Sequence, residues 1–219
     1  MNSFDKCFVT GCDDNTAWML PWFIENYKKH NDTPIVFANF GVSEETKQNI
    51  IESKLFADVV DIPKGDNNGW FLKPLTLKII NAKQLIWVDT DCHVLGDLKN
   101  IFKYLEVDKI AMVEDKPWSK RRGETWHNSG VIGIIGKPNI LNKWIESCEK
   151  GIAKGDQEVL HELVKINPLM RLMHIATLPN IYNWLRIQLI DGQDNPNKLI
   201  MHWTGEKGKQ VIKGMMSDV

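Results

Sequence analysis

The chain has 219 residues, with Lys+Arg at 27 against Asp+Glu at 28, which is enough for one sizeable domain with a full core. A net charge of −1 excludes a nucleic-acid coat or a polybasic membrane surface, and 43% hydrophobic content is ordinary for a soluble globular protein. No apolar run reaches the roughly 18 residues of a membrane span, and MNSFDKCFVTGCDD enters a strand pattern without a signal-peptide core, so a soluble cytoplasmic protein is expected.

In chain order, KCFVTG (Lys6–Gly11) reads as a short buried strand. TAWMLPWFIENYKKH carries apolar residues at helical spacing, with Pro21 predicting a late start or a kink. PIVFANF (Pro34–Phe40) is a second strand, and SEETKQNIIESK opens a helix at Ser43 with Glu44 and Glu45 in its first turn. DVVDIP is a third strand, WFLKPLTLKIINAK an amphipathic helix, and QLIWVD a fourth strand. This alternation is the signature of βαβ units and a mostly parallel sheet.

Beyond Asp91 the rhythm changes. Lys109–Asp115 and Ser129–Gly136 read as strands around a polar loop, KPWSKRRGETWHN. Helices are predicted near Ile140–Lys150 and Gln157–Val164, and short extended pieces at LMHIATLP and KLIMHW. Repeats, low-complexity tracts and linkers do not show, so a single domain over 1–219 with two functional halves, 1–91 and 92–219, is expected. Cys7, Cys12, Cys92 and Cys148 lack CxxC spacing and read as reduced thiols. Of the nine tryptophans, most should pack, while a minority offers flat faces to a ring-shaped ligand.

Ligands of open α/β sheets bind beyond the carboxyl ends of the strands. TGCDDN and DTD occupy such ends, so Asp13, Asn15, Asp89 and Asp91 would share one crevice if their strands are neighbours. Two adjacent carboxylates raise each other's pKa, and a hard divalent cation carrying phosphates would relieve them. His202 is either a structural strand-end histidine or a third metal ligand, one that Mn²⁺ tolerates better than Mg²⁺. Gly205, Lys207 and Lys209 would approach and neutralise an anion, or form a solvated basic tail. Lys73 alone is surface charge. Asn128, Ser129 and Gly130 suit a sugar's hydroxyls or a turn. Asp156 with Gln157 opens a helix, where Asp is a good cap.

Together these pieces resemble the GT-A-fold glycosyltransferases, most closely the glycogenin-like and lipopolysaccharide galactosyltransferase-like enzymes of glycosyltransferase family eight. FVTGCDDN, FLKPLTLKIINAKQLIWVDTDCHVLGDLKNIF, HNSGVIGI, GDQEVL, LPNIYNW and IMHWTG stand in the family's order over nearly the whole chain. The resemblance implies an α/β fold, a Rossmann-like domain with a mixed, mostly parallel sheet flanked by helices. It implies a retaining, metal-dependent transfer of a hexose, glucose or galactose, from a UDP-sugar to a hydroxyl of a glycan, lipid-linked glycan or protein.

Carried over residue by residue, the resemblance has Asp13 and Asn15 meet the uridine, with Thr10 and Gly11 lining its pocket. Lys73 would meet a phosphate or the ribose side, and Thr90 would be among the donor contacts. Asp89, Asp91 and His202 would hold Mn²⁺, or Mg²⁺. Asn128 and Ser129 would lie by the donor sugar, with Asp156 and Gln157 at its hydroxyls near the reacting carbon. Two departures stand out. Gly208 occupies the family's lysine position, between Lys207 and Lys209, and Thr16 stands where an aromatic often packs on the base.

The polar segment 116–128 would order over donor or acceptor, with Trp118 and Trp126 against sugar faces, or remain solvated. Two rival readings differ in class. One is a non-catalytic UDP-sugar or glycan binder. The other is a haloacid-dehalogenase-type phosphatase, whose D-x-D-G-[TV] pattern is broken here by Cys92-His93.

Overall fold

The computed structural model describes residues 2–63, 69–151, 153–165 and 167–217, so the two ends of the expected 1–219 span lie outside the described residues. The first half runs β1 (Phe4–Cys12), α1 (Leu20–His30), β2 (Ile35–Asn39), α2 (Glu44–Ser53), β3 (Asp58–Asp61), α3 (Lys73–Ile79) and β4 (Ala82–Val88). Then come β5 (Cys92–Val94), β6 (Ile110–Glu114), α4 (Lys116–Arg122), β7 (His127–Ile135), α5 (Ile140–Glu149) and α6 (Asp156–Val164). The chain closes with α7 (Pro168–His174), β8 (Ile175–Thr177), β9 (Trp184–Leu185), α8 (Arg186–Ile190), β10 (Ile200–His202) and α9 (Gly205–Ser217).

Seven strands form the central sheet in the order β3-β2-β1-β4-β7-β6-β8. The pairs β1–β2, β2–β3, β1–β4 and β6–β8 are parallel, while β7 runs antiparallel to both β4 and β6. The mixed, mostly parallel sheet expected from the sequence is therefore present. Side-chain alternation along each strand divides the core into two layers. Phe8, Phe37, Ile86 and Val88 face α1, while Cys7, Val9, Ala38, Leu85 and Trp87 face the side of Leu77, Trp144 and Leu160 from α3, α5 and α6. All four cysteines are buried free thiols.

Local signals set the helix ends. Ser43 Oγ accepts from the Thr46 N–H at 3.2 Å to start α2. Pro21 sits in the first turn of α1, where no N–H is needed, so the helix starts late rather than kinking. The α3 helix is shorter than its sequence pattern, because Gly69–Leu72 forms a 3-10 turn ahead of it.

Two expectations are corrected. Segment 116–128 is not a loop. Asp115 Oδ1 caps α4 through the Trp118 N–H at 3.0 Å, Pro117 lies in its first turn, and Gly123, at φ 69°, ends it. Buried Trp126 stacks on His161 at 3.7 Å between centroids, while half-exposed Trp118 has Arg122 4.8 Å from its ring centroid. In LMHIATLP, the first three residues close α7 and only Ile175–Thr177 is strand. The basic segment after His202 is the helix α9.

Candidate active site

The small sheet β5-β10-β9 builds the site's centre. β4 ends at Val88, and the Asp89 N–H donates to the Gly130 carbonyl at 2.8 Å. The chain turns through Asp89-Thr90-Asp91 into β5, which pairs antiparallel with β10 in a register that sets Cys92 opposite His202. The Trp203 N–H donates to the Asp91 carbonyl at 3.0 Å. That register brings His202 Nε2 to 3.1 Å from Asp91 Oδ1 and 3.9 Å from Asp89 Oδ2.

The carboxylates of the DTD turn are not left to repel each other. Buried Lys73, the first residue of α3, sets its Nζ 2.8 Å from Asp89 Oδ1, 2.9 Å from Asp89 Oδ2 and 3.9 Å from Asp156 Oδ2. Burial would lower its pKa, but Asp156 and Asp89 overcome that and raise it, so Lys73 stays charged. The Trp87 Nε1–H donates to Asp89 Oδ1 at 2.6 Å. Burial also opposes the charge on Asp91, yet the His202 imidazolium holds its pKa low.

A polar chain fixes the His202 ring. The Asn183 Nδ2–H donates to Asn128 Oδ1 at 2.8 Å, which leaves Asn183 Oδ1 as an acceptor, 2.9 Å from His202 Nδ1. Nδ1 therefore carries a proton, and Nε2 is turned to the carboxylates, the arrangement that prepares an imidazole for a metal. Asn128 Oδ1 also accepts from the Gly130 N–H at 2.9 Å, and its amide donates to Asp115 at 3.4 Å. Gly130 is obligatory here, since a Cβ would stand 2.2 Å from His202 Cε1.

Above this cluster lies a cavity of about 440 Å³. Of the sequence-predicted residues, Gly11, Asp13, Asn15, Lys73, Asp89, Thr90, Asp91, Gly205 and Lys209 line it. Thr10 is fully buried beneath it, with its hydroxyl unpartnered among the described residues. Lys207 is exposed on α9 and does not line it. Asn128, Ser129, Asp156 and Gln157 stand behind its wall. Ser129 gives its carbonyl to Lys73 at 3.3 Å and its N–H to Gln157 Oε1 at 3.3 Å. Asp156 is not a cap. Gly155 caps α6, and burial raises the Asp156 carboxyl to about 6.

The lysine departure has a steric cause. A Cβ at Gly208 would lie 1.8 Å from the Trp203 carbonyl oxygen, so no side chain fits there, and Lys209 one residue on reaches the cavity. Sequence reasoning missed Asn183, Asp115, Trp87 and Trp70. Asn183 is the penultimate residue of the LPNIYNW block, and a polar residue set between Tyr182 and Trp184 was the available signal.

No protein-family model matches the chain, and no curated protein matches it. Solved structures do. The glycosyltransferase GlyE of Streptococcus pneumoniae TIGR4 superposes with a TM-score of 0.66 at 19% identity, over 92% of this chain and 55% of GlyE. The chain thus spans little more than half of that protein. The galactosyltransferase LgtC, solved with donor and acceptor sugar analogs, gives 0.65 at 13% identity over 97% of this chain and 96% of LgtC. An active-site variant of LgtC, glutamine replaced by glutamate, gives 0.68 at 15% identity over 97% and 95%. At such identities the likeness establishes the fold. The chain has the GT-A fold, and it resembles glycosyltransferases of family eight, to which LgtC belongs.

Proposed function

We propose that the chain is a retaining glycosyltransferase that uses a divalent metal ion and moves a hexose from a UDP-sugar to an acceptor hydroxyl. One observation carries the reading: on a GT-A fold, the end of β1, the DTD turn and the start of α9 line one cavity, and buried His202 meets the lining residue Asp91 at 3.1 Å. The donor and acceptor sugar analogs bound to LgtC support it by analogy.

The residues fit a hard cation. The donor atoms of Asp91, Cys92 and His202 lie within 4.8 Å of one another. Burial keeps the Cys92 thiol protonated, so the usable set is the oxygens of Asp91 and Asp89 with the His202 imidazole. That set suits Mn²⁺, with Mg²⁺ the weaker match. When bound, the ion would act as a Lewis acid on the diphosphate. Lys73 holds the Asp89 carboxylate in place, and Lys209 with the N-terminus of α9 adds positive potential for phosphate oxygens.

In the reaction the bond from the anomeric carbon to the diphosphate oxygen breaks, and the acceptor oxygen bonds to that carbon. Retention by double displacement needs a nucleophile on the sugar's far face. Gln157 is a poor one and Asp156 stands behind Lys73. Front-face attack is therefore favoured, with the departing phosphate oxygen taking the acceptor's proton.

A thermal-shift screen of nucleoside diphosphates and UDP-sugars, with and without Mn²⁺, tests this. At a hundredfold excess over its dissociation constant a ligand adds about 2.7 kcal/mol of stability. The expected result is a shift that needs both UDP and Mn²⁺, followed by slow hydrolysis of one UDP-sugar. A shift without metal, or none with any nucleotide, overturns the proposal. Binding without turnover at any acceptor leaves a non-catalytic binder.

A further inference from the structure

Of the aromatic residues lining the cavity, Phe40 and Trp87 are 3% and 1% exposed, and their rings stack on each other at 5.7 Å and 8°. Their faces are spent on the core. Trp70 also lines the cavity and is 47% exposed. A large aromatic left open at the rim of a polar cavity is surface that a ligand face can cover.

Its mounting is firm. Trp70 belongs to the turn Gly69–Leu72, in which Phe71 and Leu72 are buried, and the turn runs directly into Lys73, held by Asp89. Its neighbour Gly69 packs beside Phe40 and Asp13. A Cβ there would meet a Phe40 ring carbon at 3.4 Å and Asp13 Oδ2 at 3.9 Å. The exposed ring is thereby tethered to the Asp13 side of the cavity. On the same side Thr16, the other candidate to cover a ring, turns its hydroxyl to Asp13 Oδ1 at 3.3 Å and has no ring of its own.

We infer that Trp70 is a donor-binding residue whose indole stacks on the base of the bound nucleoside diphosphate. This rests on the proposed nucleotide-dependent reading of the cavity and supplies from the turn before α3 the aromatic surface that the turn after β1 lacks. Every base has a π-face, so the contact gives affinity for a nucleoside. Choice among bases falls to groups that meet its edge, of which Asp13 and Asn15 are within the same cavity.

The test compares binding of UDP and of inorganic pyrophosphate, each with Mn²⁺, to the wild-type chain and to Trp70→Ala and Trp70→Phe by calorimetry. Base stacking on an aromatic is worth roughly five- to 150-fold in affinity. The expected result is a loss of about fivefold or more for UDP in Trp70→Ala, unchanged pyrophosphate binding, and partial recovery in Trp70→Phe. The melting temperature of each variant is read alongside, since an exposed ring can be removed without opening the core. If Trp70→Ala binds UDP as the wild type does, the inference is overturned while the proposed function stands. If UDP and pyrophosphate weaken equally, Trp70 serves the phosphate site and the base-stacking role is overturned. If the wild type binds pyrophosphate and Mn²⁺ but no nucleotide, the proposed function falls and this inference with it.

Discussion

Lys73 and Asp89 form a two-oxygen ion pair, with Nζ 2.8 Å from one carboxylate oxygen and 2.9 Å from the other. The pair joins the start of α3 to the end of β4 and holds the first aspartate of the DTD turn in a fixed orientation. Removing Lys73 leaves the partly buried Asp89 carboxylate without its counter-ion, with only the Trp87 N–H still donating to it. Lys73→Met should lower unfolding free energy by about 3–5 kcal/mol, measured by urea denaturation. Because the folded pKa of Lys73 is raised, its stabilisation is fully present below pH ~10.4 and fades only as pH climbs beyond that, through the folded value. Wild-type stability in Lys73→Met would show that the pair adds no net stability to the fold.

Gly130 tests the proposed metal centre without changing a ligand, because it packs against the His202 ring. Gly130→Ala would press a methyl group against the His202 ring and turn Nε2 from Asp91. Mn²⁺-dependent stabilisation should drop at least about tenfold in apparent affinity, in the range known for loss of a ligand's supporting contacts. Asp91→Asn should abolish the Mn²⁺ effect and leave the circular dichroism spectrum intact. Full Mn²⁺-dependent UDP binding in Asp91→Asn would remove Asp91 from the site.

The two lysines of α9 should separate cleanly. Lys209→Ala is expected to weaken pyrophosphate and UDP binding several-fold, with the loss shrinking at high salt, whereas Lys207→Ala should bind as the wild type. Gly208→Ala should destabilise the chain by about 1–3 kcal/mol or more through its clash with the Trp203 carbonyl. Equal effects from both lysines would mean that α9 offers only diffuse positive charge.

Asp156 and His127 predict opposing pH effects over one window. Burial raises Asp156 to about 6, so between its unfolded value of 3.8 and 6 the folded state holds the extra proton and stability falls as pH rises. Burial, aided by Arg171 and His161, lowers His127 to about 4, so between 4 and 6.5 the unfolded state holds the extra proton and stability climbs with pH. Relative to wild type, Asp156→Asn should therefore steepen the climb with pH and His127→Gln should flatten or reverse it. Urea midpoints from pH 4 to pH 7 give both differences, and parallel curves would refute the assignments.

Much of this was legible in residue order. The alternation of strand and helix up to Asp89, the Ser43 cap and the DTD strand end are local facts, set by side-chain period and by caps within a few residues. Helix α4 was hidden because Pro117, Gly123 and a run of basic residues look like a loop, until Asp115 caps it and Trp126 finds His161 across the fold. Asn183 was quoted within a block yet had no role, since a buried amide acquires one only from the partners that surround it.

The sequence by itself determined the sheet's hydrophobic layers, the carboxylates at its strand ends and the resemblance in order of motifs, because period and spacing are written along the chain. Only the tertiary structure decided which charges meet. The β5–β10 register brings His202 beside Asp91, the start of α3 buries Lys73 against Asp89, and Gly208 yields the cavity to Lys209. Those are contacts between segments far apart in the chain, and no local propensity encodes a distance across the fold.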